Sequence, residues 1–330
     1  MTEHESRSEC PAKGHHPHRL MDLTGLTAVV TGGATGIGYF TAEGLAALGA
    51  RVVIAGRSPE RFRAARDAIQ ARIPGAEVSY QQLDLADLAT VRAAAERLRQ
   101  LPSVDLLVGN AGAIGYPDHV KPTGDRGVRA LTTADGYELF WGTNFLGHYA
   151  LIAALLPLLS ASRGRCVLVG SIGDRGAPLA ADAVPSPDVR ASDLAKYGQS
   201  KLATTTLMHE LARRLARRGA GAAAMGAHPG TAVDFLSPPR AGVAINQPDG
   251  PRILQAPVRL FAHGKHAGAL PVLTAAACPE ARNGDYWGPR GVTRGRPVRV
   301  RPNRATQDPA GAARLMDAAA ALTGLPLPLG

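Results

Sequence analysis

The chain has 330 residues, 45% of them apolar, and a formal charge of +10. That length holds one large α/β domain or two small ones with ample core, and the composition excludes a fibrous or wholly disordered chain. The charge would suit an anionic partner, but Arg61, Arg63, Arg66, Arg72, Arg92, Arg97 and Arg99 are dispersed and aromatics are only 5% of the chain, so no stacking platform for nucleic acid is expected.

Residues 1–20 are polar and carry His4, His15, His16 and His18 beside Cys10; they read as a disordered tail rather than a metal site. From Leu23 onward, strand and helix patterns alternate. Strands are expected at 27–31, 51–55, 77–82, 104–109, 165–170 and 221–227, with helices at 36–48, 58–72, 87–100, 135–160 and 189–218. That alternation predicts an α/β fold, a Rossmann-like doubly wound parallel sheet in a single domain over 21–282. Three long stretches, 115–133, 173–192 and 234–268, are expected to form loops around a substrate pocket. A small helix is expected at Ala269–Ala277. Residues 283–330 read as a C-terminal extension packed on the domain, holding Tyr286-Trp287-Gly288, a basic segment and a short helix at 309–322.

The most apolar run, Phe145–Leu159, is interrupted by His148 and Pro157; it is too short for a bilayer and reads as a buried helix. The pairs Arg213-Arg214 and Arg217-Arg218 fall at helical spacing and read as one solvated face. Arg294–Arg304 is the densest basic patch and suits an acidic partner. Cys10, Cys166 and Cys278 make neither a metal spacing nor a disulfide framework, which fits a reducing compartment. No apolar signal-peptide core starts the chain, so a soluble, cytoplasmic protein is expected.

The stretch Thr31–Gly38, TGGATGIG, lies between the first strand and the first helix. Glycines let the backbone turn tightly and let a phosphate approach it. The helix start adds free N–H groups and a positive dipole end. An NAD site of this kind puts Asp or Glu at the end of the second strand, for the ribose 2′-hydroxyl. Here that end reads Ile54-Ala55-Gly56-Arg57-Ser58, with no carboxylate. Arg57 is placed to pair with a 2′-phosphate, so the expected cofactor is NADP(H).

Further on come Asn110-Ala111-Gly112, Asn144, Ser171 and Tyr197-Gly198-Gln199-Ser200-Lys201. With TGGATGIG and in this order, they resemble the short-chain dehydrogenase/reductase family over about residues 22–235. Asp135-Gly136-Tyr137-Glu138, Thr143–His148, the 26-residue gap from Ser171 to Tyr197 and Tyr286–Pro289 are similar to its retinol-dehydrogenase-like and protochlorophyllide-reductase-like branch. Two positions depart from the family pattern: Gly109 stands where an asparagine is usual, and Gly170 where this branch often has serine. The insert near 117–130 looks longer than in that branch, and an N-terminal anchor like that of the membrane-bound members is not expected here.

Tyr197 and Lys201 are four apart on a predicted helix and share a face. A nearby ammonium and an oxidised nicotinamide would lower the tyrosine pKa from about 10 toward neutrality. That makes Tyr197 a general acid for ketone reduction and a base for alcohol oxidation. Ser171, at a strand end, would bond the substrate oxygen. The resemblance implies that Asn144 holds a water linking Lys201 to solvent. It also implies that Thr31, Gly32, Gly36, Ile37 and Gly38 cradle the pyrophosphate, and that Asp84 and Leu85 border the adenine. Asn110, Ala111 and Gly112 would line the ribose side, and Pro229, Gly230 and Thr231 would meet the nicotinamide and phosphates. His228 reads as a pocket wall, and no metal site is expected.

The implied activity is reduction of a ketone or aldehyde, or the reverse oxidation, on a hydrophobic small molecule. The Arg- and Ala-rich composition suits a GC-rich bacterial genome, and with it secondary metabolism such as antibiotic biosynthesis. An epimerase, cyclase or C=C reductase on the same scaffold stays open, as does a non-catalytic NADP(H)-binding regulator. Monomer and homodimer both remain compatible with the sequence.

Overall fold

The computed structural model describes residues 19–114, 132–175, 192–244 and 257–329. The tail through residue 18, most of the first two expected loops and residues 245–256 of the third lie outside the described residues.

Eight strands form one sheet. In chain order they begin with β1 (Thr27–Thr31), β2 (Arg51–Gly56), β3 (Val78–Gln82) and β4 (Leu106–Gly109). They continue with β5 (Arg165–Val169) and β6 (Ala223–Ala227). A separate two-residue pair, β7 (Ala232–Val233) and β8 (His263–Gly264), follows. The main sheet is completed by β9 (Tyr286–Pro289) and β10 (Pro297–Arg299). Its order is β10-β9-β6-β5-β4-β1-β2-β3, parallel throughout except for antiparallel β10. The runs in β1, β4 and β5 are apolar almost without alternation because both faces of a parallel sheet are covered.

Helices cover both faces. On one lie α1 (Gly36–Ala47), α2 (Pro59–Arg72) and α7 (Lys265–Ala277), packed around Tyr39, Leu45, Ile69 and Val272. On the other lie α3 (Leu88–Leu98), α5 (Gly147–Ala161), α6 (Asp193–Arg218) and α8 (Pro309–Thr323), around Leu151, Leu207, Leu211 and Leu315. Short connections carry their own stops and starts. Ser58 caps α2 through the Arg61 amide at 3.1 Å, Asp87 caps α3, and Gly219 ends α6 in the left-handed conformation.

Three expectations need revision. Tyr286–Pro289 is a strand of the main sheet, buried throughout, rather than part of an appended segment. The expected helix 135–160 is α4 (Leu139–Trp141), a π turn at Gly142–Leu146, then α5. Together these make a helix Leu139–Ala161, long and apolar enough to cross a membrane by length and composition, but 72% of its most apolar window is buried inside the protein. The arginines of α6 are not a purely solvated face. Arg213, Arg214 and Arg217 converge on the buried Glu210 carboxylate at 2.9, 2.7 and 3.7 Å.

Strand order reverses between β1 and β4, since β2 and β3 lie to one side and β5 and β6 to the other. In such sheets the crevice beyond the carboxyl ends of the strands at this point is the ligand site. Thr31, Asn110 and Ser171 stand at or just past the ends of β1, β4 and β5.

Candidate active site

The glycine turn is shaped for close approach. Gly32 and Gly36 have φ of +65° and +58°, which side-chain-bearing residues rarely adopt. At Gly38 a Cβ would overlap the Gly32 carbonyl and the Asn110 amide. Thr35, at the N-cap of α1, makes no side-chain capping bond, and no acidic residue lies in the first turn. The first N–H groups of α1 are therefore left for an anion, as a dinucleotide pyrophosphate requires.

Asn110 ties the end of β4 to this turn, its Nδ2 donating to the Thr31 carbonyl at 2.9 Å. The Asn110 and Ala111 amides donate to Thr31 Oγ1 at 2.9 and 3.0 Å. Thr31 Oγ1 lies 3.0 Å from His148 Nε2, and His148 Nδ1 lies 2.9 Å from the Asn144 carbonyl. A carbonyl only accepts, so the proton sits on Nδ1 and Nε2 accepts from Thr31. Burial pushes the His148 pKa down to about 4, with the Lys201 charge acting the same way against the Asn144 bond. His148 therefore stays neutral and links the Asn144 turn to the glycine turn. The sequence showed it as an interruption of an apolar run and the last letter of the Thr143–His148 motif, with no role in the site. The Gly109 departure has its explanation here. A Cβ at Gly109 would stand 2.5 Å from Leu168 and 3.1 Å from the His148 ring.

Asn144 lies in the π turn, a local widening frequent at functional sites. Its Oδ1 accepts from the Ala113 amide at 2.7 Å, and its Nδ2 donates to the Ala113 carbonyl and to Ser200 Oγ at 3.0 and 2.9 Å. Its main-chain carbonyl accepts from Thr204 Oγ1 as well as His148. Gly112 packs beside it: a Cβ there would be 3.0 Å from Asn144 Oδ1 and 3.3 Å from Lys201 Nζ.

Ser171, Tyr197 and Lys201 meet at the end of β5. A Cβ on Gly173 would stand 3.3 Å from both Ser171 Oγ and the Tyr197 ring. Lys201 Nζ is buried, donates to the Val169 carbonyl at 2.9 Å and lies 6.0 Å from the Tyr197 ring centre. Burial pushes the Lys201 pKa down to about 8, with the Asp174 carboxylate opposing. Burial also raises the Tyr197 pKa; a Ser171 hydrogen bond lowers it and Asp174 raises it further. In the protein alone, burial thus outweighs the lowering expected from a charged neighbour; the share expected from an oxidised nicotinamide belongs to the cofactor-bound state. The ammonium meant to lower the phenol is itself penalised by burial, and a carboxylate unnoticed in the sequence stands beside both groups. Asp174 is 4% exposed, and burial lifts its pKa to about 6.

Gly170 is explained by β9. A Cβ there would overlap the Tyr286 hydroxyl and stand 2.8 Å from Thr205 Oγ1. Tyr286 thus occupies the space a serine would need.

The remaining expected residues fall around this centre. Arg57 is exposed just past β2 and pairs with no carboxylate among the described residues. The Asp84 carboxylate accepts from the Ala86 amide at 3.0 Å, and Leu85 is buried in the core. Pro229, Gly230 and Thr231 follow β6. The Thr231 amide donates to the Thr293 carbonyl at 2.7 Å, and His263 Nε2 donates to the Pro229 carbonyl at the same distance. His228 is 2% exposed, and burial pushes its pKa down to about 4. A cleft of about 420 Å³ lined by Phe235, Leu236, Ser237, Pro238, Arg259 and His266 adjoins the start of α7.

A glycine turn open to phosphate, joined through Asn110 and His148 to a Ser–Tyr–Lys cluster at the switch point, defines a dinucleotide-binding oxidoreductase scaffold of Rossmann type. The short chain dehydrogenase model matches residues 26–233, and the chain belongs to that family. It is 34% identical over 286 residues to an uncharacterized oxidoreductase of Schizosaccharomyces pombe, covering 81% of this chain and 78% of that one. It is also 34% identical over 225 residues to human retinol dehydrogenase 13, covering 68% of this chain and 62% of the relative's length. These likenesses place it in the retinol-dehydrogenase-like branch. A solved structure from Mycobacterium paratuberculosis superposes with a TM-score of 0.72 at 30% identity, over 94% of this chain and 97% of that chain.

Proposed function

We propose that the protein is a cytoplasmic NADP(H)-dependent carbonyl reductase, or the reverse alcohol dehydrogenase, acting on a hydrophobic small molecule. The observation that carries this is the convergence of Ser171, Tyr197 and Lys201 beside the glycine turn. The residues present fit a nicotinamide dinucleotide: Gly32, Gly36, Ile37 and the free start of α1 would hold the pyrophosphate, and Arg57 a 2′-phosphate. The bound nicotinamide supplies hydride chemistry. Ser171 holds the carbonyl oxygen and stabilises the charge that grows on it. Tyr197 gives that oxygen its proton in reduction and removes it in oxidation. Lys201, with its pKa near 8, exchanges a proton near neutrality and offsets the negative charge left on Tyr197.

Arg57 supports NADP(H) over NAD(H), because β2 ends without the carboxylate that would hold a free ribose hydroxyl. Ile114, shortly past β4, and Leu194, in the first turn of α6, are exposed apolar side chains at 77% and 74%, and an apolar substrate is the reading we favour for them. Secondary metabolism, antibiotic biosynthesis included, is the setting we favour for such a substrate.

The test is consumption of NADPH and NADH by purified protein with a panel of hydrophobic ketones, aldehydes and enones, repeated with Arg57→Asp. NADPH is expected to be consumed faster, and Arg57→Asp to reverse the preference. NADPH that binds without net consumption across the panel would refute the reductase reading, and an unchanged preference in Arg57→Asp would refute the role of Arg57.

A further inference from the structure

Lys265 opens α7, on the far side of the third expected loop from Asp234. Its ammonium stands over the glycine turn. A Cβ built on Gly36 would lie 3.4 Å from Nζ, 3.5 Å from Cδ and 3.8 Å from Cε. Two contacts hold it there. The carboxylate of Asp234 receives Nζ at 2.7 Å. The Lys265 amide donates to Ser237 Oγ at 2.8 Å, and Ser237 Oγ donates to the Val233 carbonyl at 3.0 Å. The side chains of Lys265 and Asp234 are only 24% and 15% exposed.

An ammonium has three N–H donors, and Asp234's two oxygens account for two. The turn beneath it supplies helix-start amides that no side chain caps. A charged donor 3.4 Å from where a Gly36 Cβ would stand, at a helix start whose amides no side chain caps, makes a site for a phosphate oxygen.

We propose that Lys265 is a ligand of the dinucleotide pyrophosphate, and that Asp234 is the positioning residue that suspends it over Gly36. This rests on the reading of the turn as a nicotinamide dinucleotide site. The pyrophosphate is common to NADPH and NADH, whereas Arg57 addresses a group only NADPH carries. Lys265 therefore contributes affinity to both cofactors equally and Arg57 contributes selectivity. Asp234 neutralises the ammonium before the cofactor arrives, and its own charge opposes the phosphates, so affinity is held below what the lysine alone would give.

The experiment is calorimetric titration of NADPH and NADH into the full chain and into Lys265→Gln, Lys265→Arg and Asp234→Asn, at low and high salt, with melting curves to verify folding. A charged hydrogen bond of ordinary strength corresponds to about ten- to hundredfold in affinity. Lys265→Gln is expected to weaken both cofactors by that factor, to equal extents, and to reduce the salt dependence. Lys265→Arg is expected to restore most of the loss. Asp234→Asn, which keeps an acceptor but removes the charge, is expected to tighten both by about threefold or more. Unchanged affinity in Lys265→Gln, a loss confined to NADPH, or weakening in Asp234→Asn would each overturn the proposal. If Lys265→Gln does not fold, Asp234→Asn alone decides, by tightening or weakening. Wild-type protein that binds neither dinucleotide would instead overturn the cofactor reading on which the proposal rests.

Discussion

Replacing Gly170 by alanine should destabilise the protein although only one methyl group is added. The methyl would land on the Tyr286 hydroxyl and within 2.8 Å of Thr205 Oγ1. The ring cannot retreat easily. Gly226 leaves no room behind it, since even a Cβ there would be 2.5 Å from the Tyr286 ring, and His228 lies 5.8 Å away centre to centre. Overpacking of this kind costs about 1–3 kcal/mol, and the clamped ring argues for the upper half. Unfolding entropy of about 2.1 cal/mol/K per residue over 330 residues makes each kcal/mol worth about 1.4 °C. Gly170→Ala should therefore melt about 3–4 °C lower. Tyr286→Phe removes the colliding oxygen, so Gly170→Ala on a Tyr286→Phe background should cost at least about 1 kcal/mol less than on the wild type. Urea unfolding of all four proteins measures this coupling. Additive effects, or a fully stable Gly170→Ala, would refute the idea that Tyr286 occupies the serine space.

Acid should weaken the fold. His148, His209 and His228 each have folded pKa values near 4 through burial, below the ordinary 6.5. The unfolded chain then binds more protons between those values, so stability present above pH 6.5 is lost as pH falls toward 4. Asp174, lifted to about 6 in the folded protein, offsets one of these protons below that pH, leaving a net uptake of about two on unfolding. Urea unfolding between pH 7 and 5 should show falling stability; a flat profile would contradict these burials. Glu210→Ala leaves Arg214, 15% exposed, without its carboxylate and should cost about 3 kcal/mol. Arg217→Ala, whose side chain is 71% exposed, should cost no more than about 0.5 kcal/mol in the same denaturation assay.

The nucleotide half was readable because its strands are short apolar runs bounded by glycine turns. The six strands expected first all formed, with ends shifted by a residue or two. β9 was missed as a strand because Tyr-Trp-Gly-Pro shows neither alternation nor a β-branched run. Its pairing with Gly226 and Ala227 is set by burial against β6. Tyr197 and Lys201, the proposed proton-transfer pair, are four apart and announce themselves. The Lys265–Asp234 pair does not, because its members are 31 residues apart and meet only when β7 pairs with β8, Val233 opposite Gly264. His148 and Asp174 were likewise ordinary letters until burial gave them neighbours. The wet face assigned to α6 failed for one residue, Glu210, whose charge is buried and draws the arginines inward.

The central claim is that Tyr197 transfers the proton in a net NADPH-dependent reduction. It is tested most directly by turnover of wild type and Tyr197→Phe with the best substrate of the carbonyl panel, alongside NADPH binding. Loss of a general acid costs about 10²–10⁴-fold, so Tyr197→Phe should lose at least a hundredfold in kcat while binding NADPH as tightly as the wild type. A Tyr197→Phe enzyme within tenfold of wild type would contradict the account.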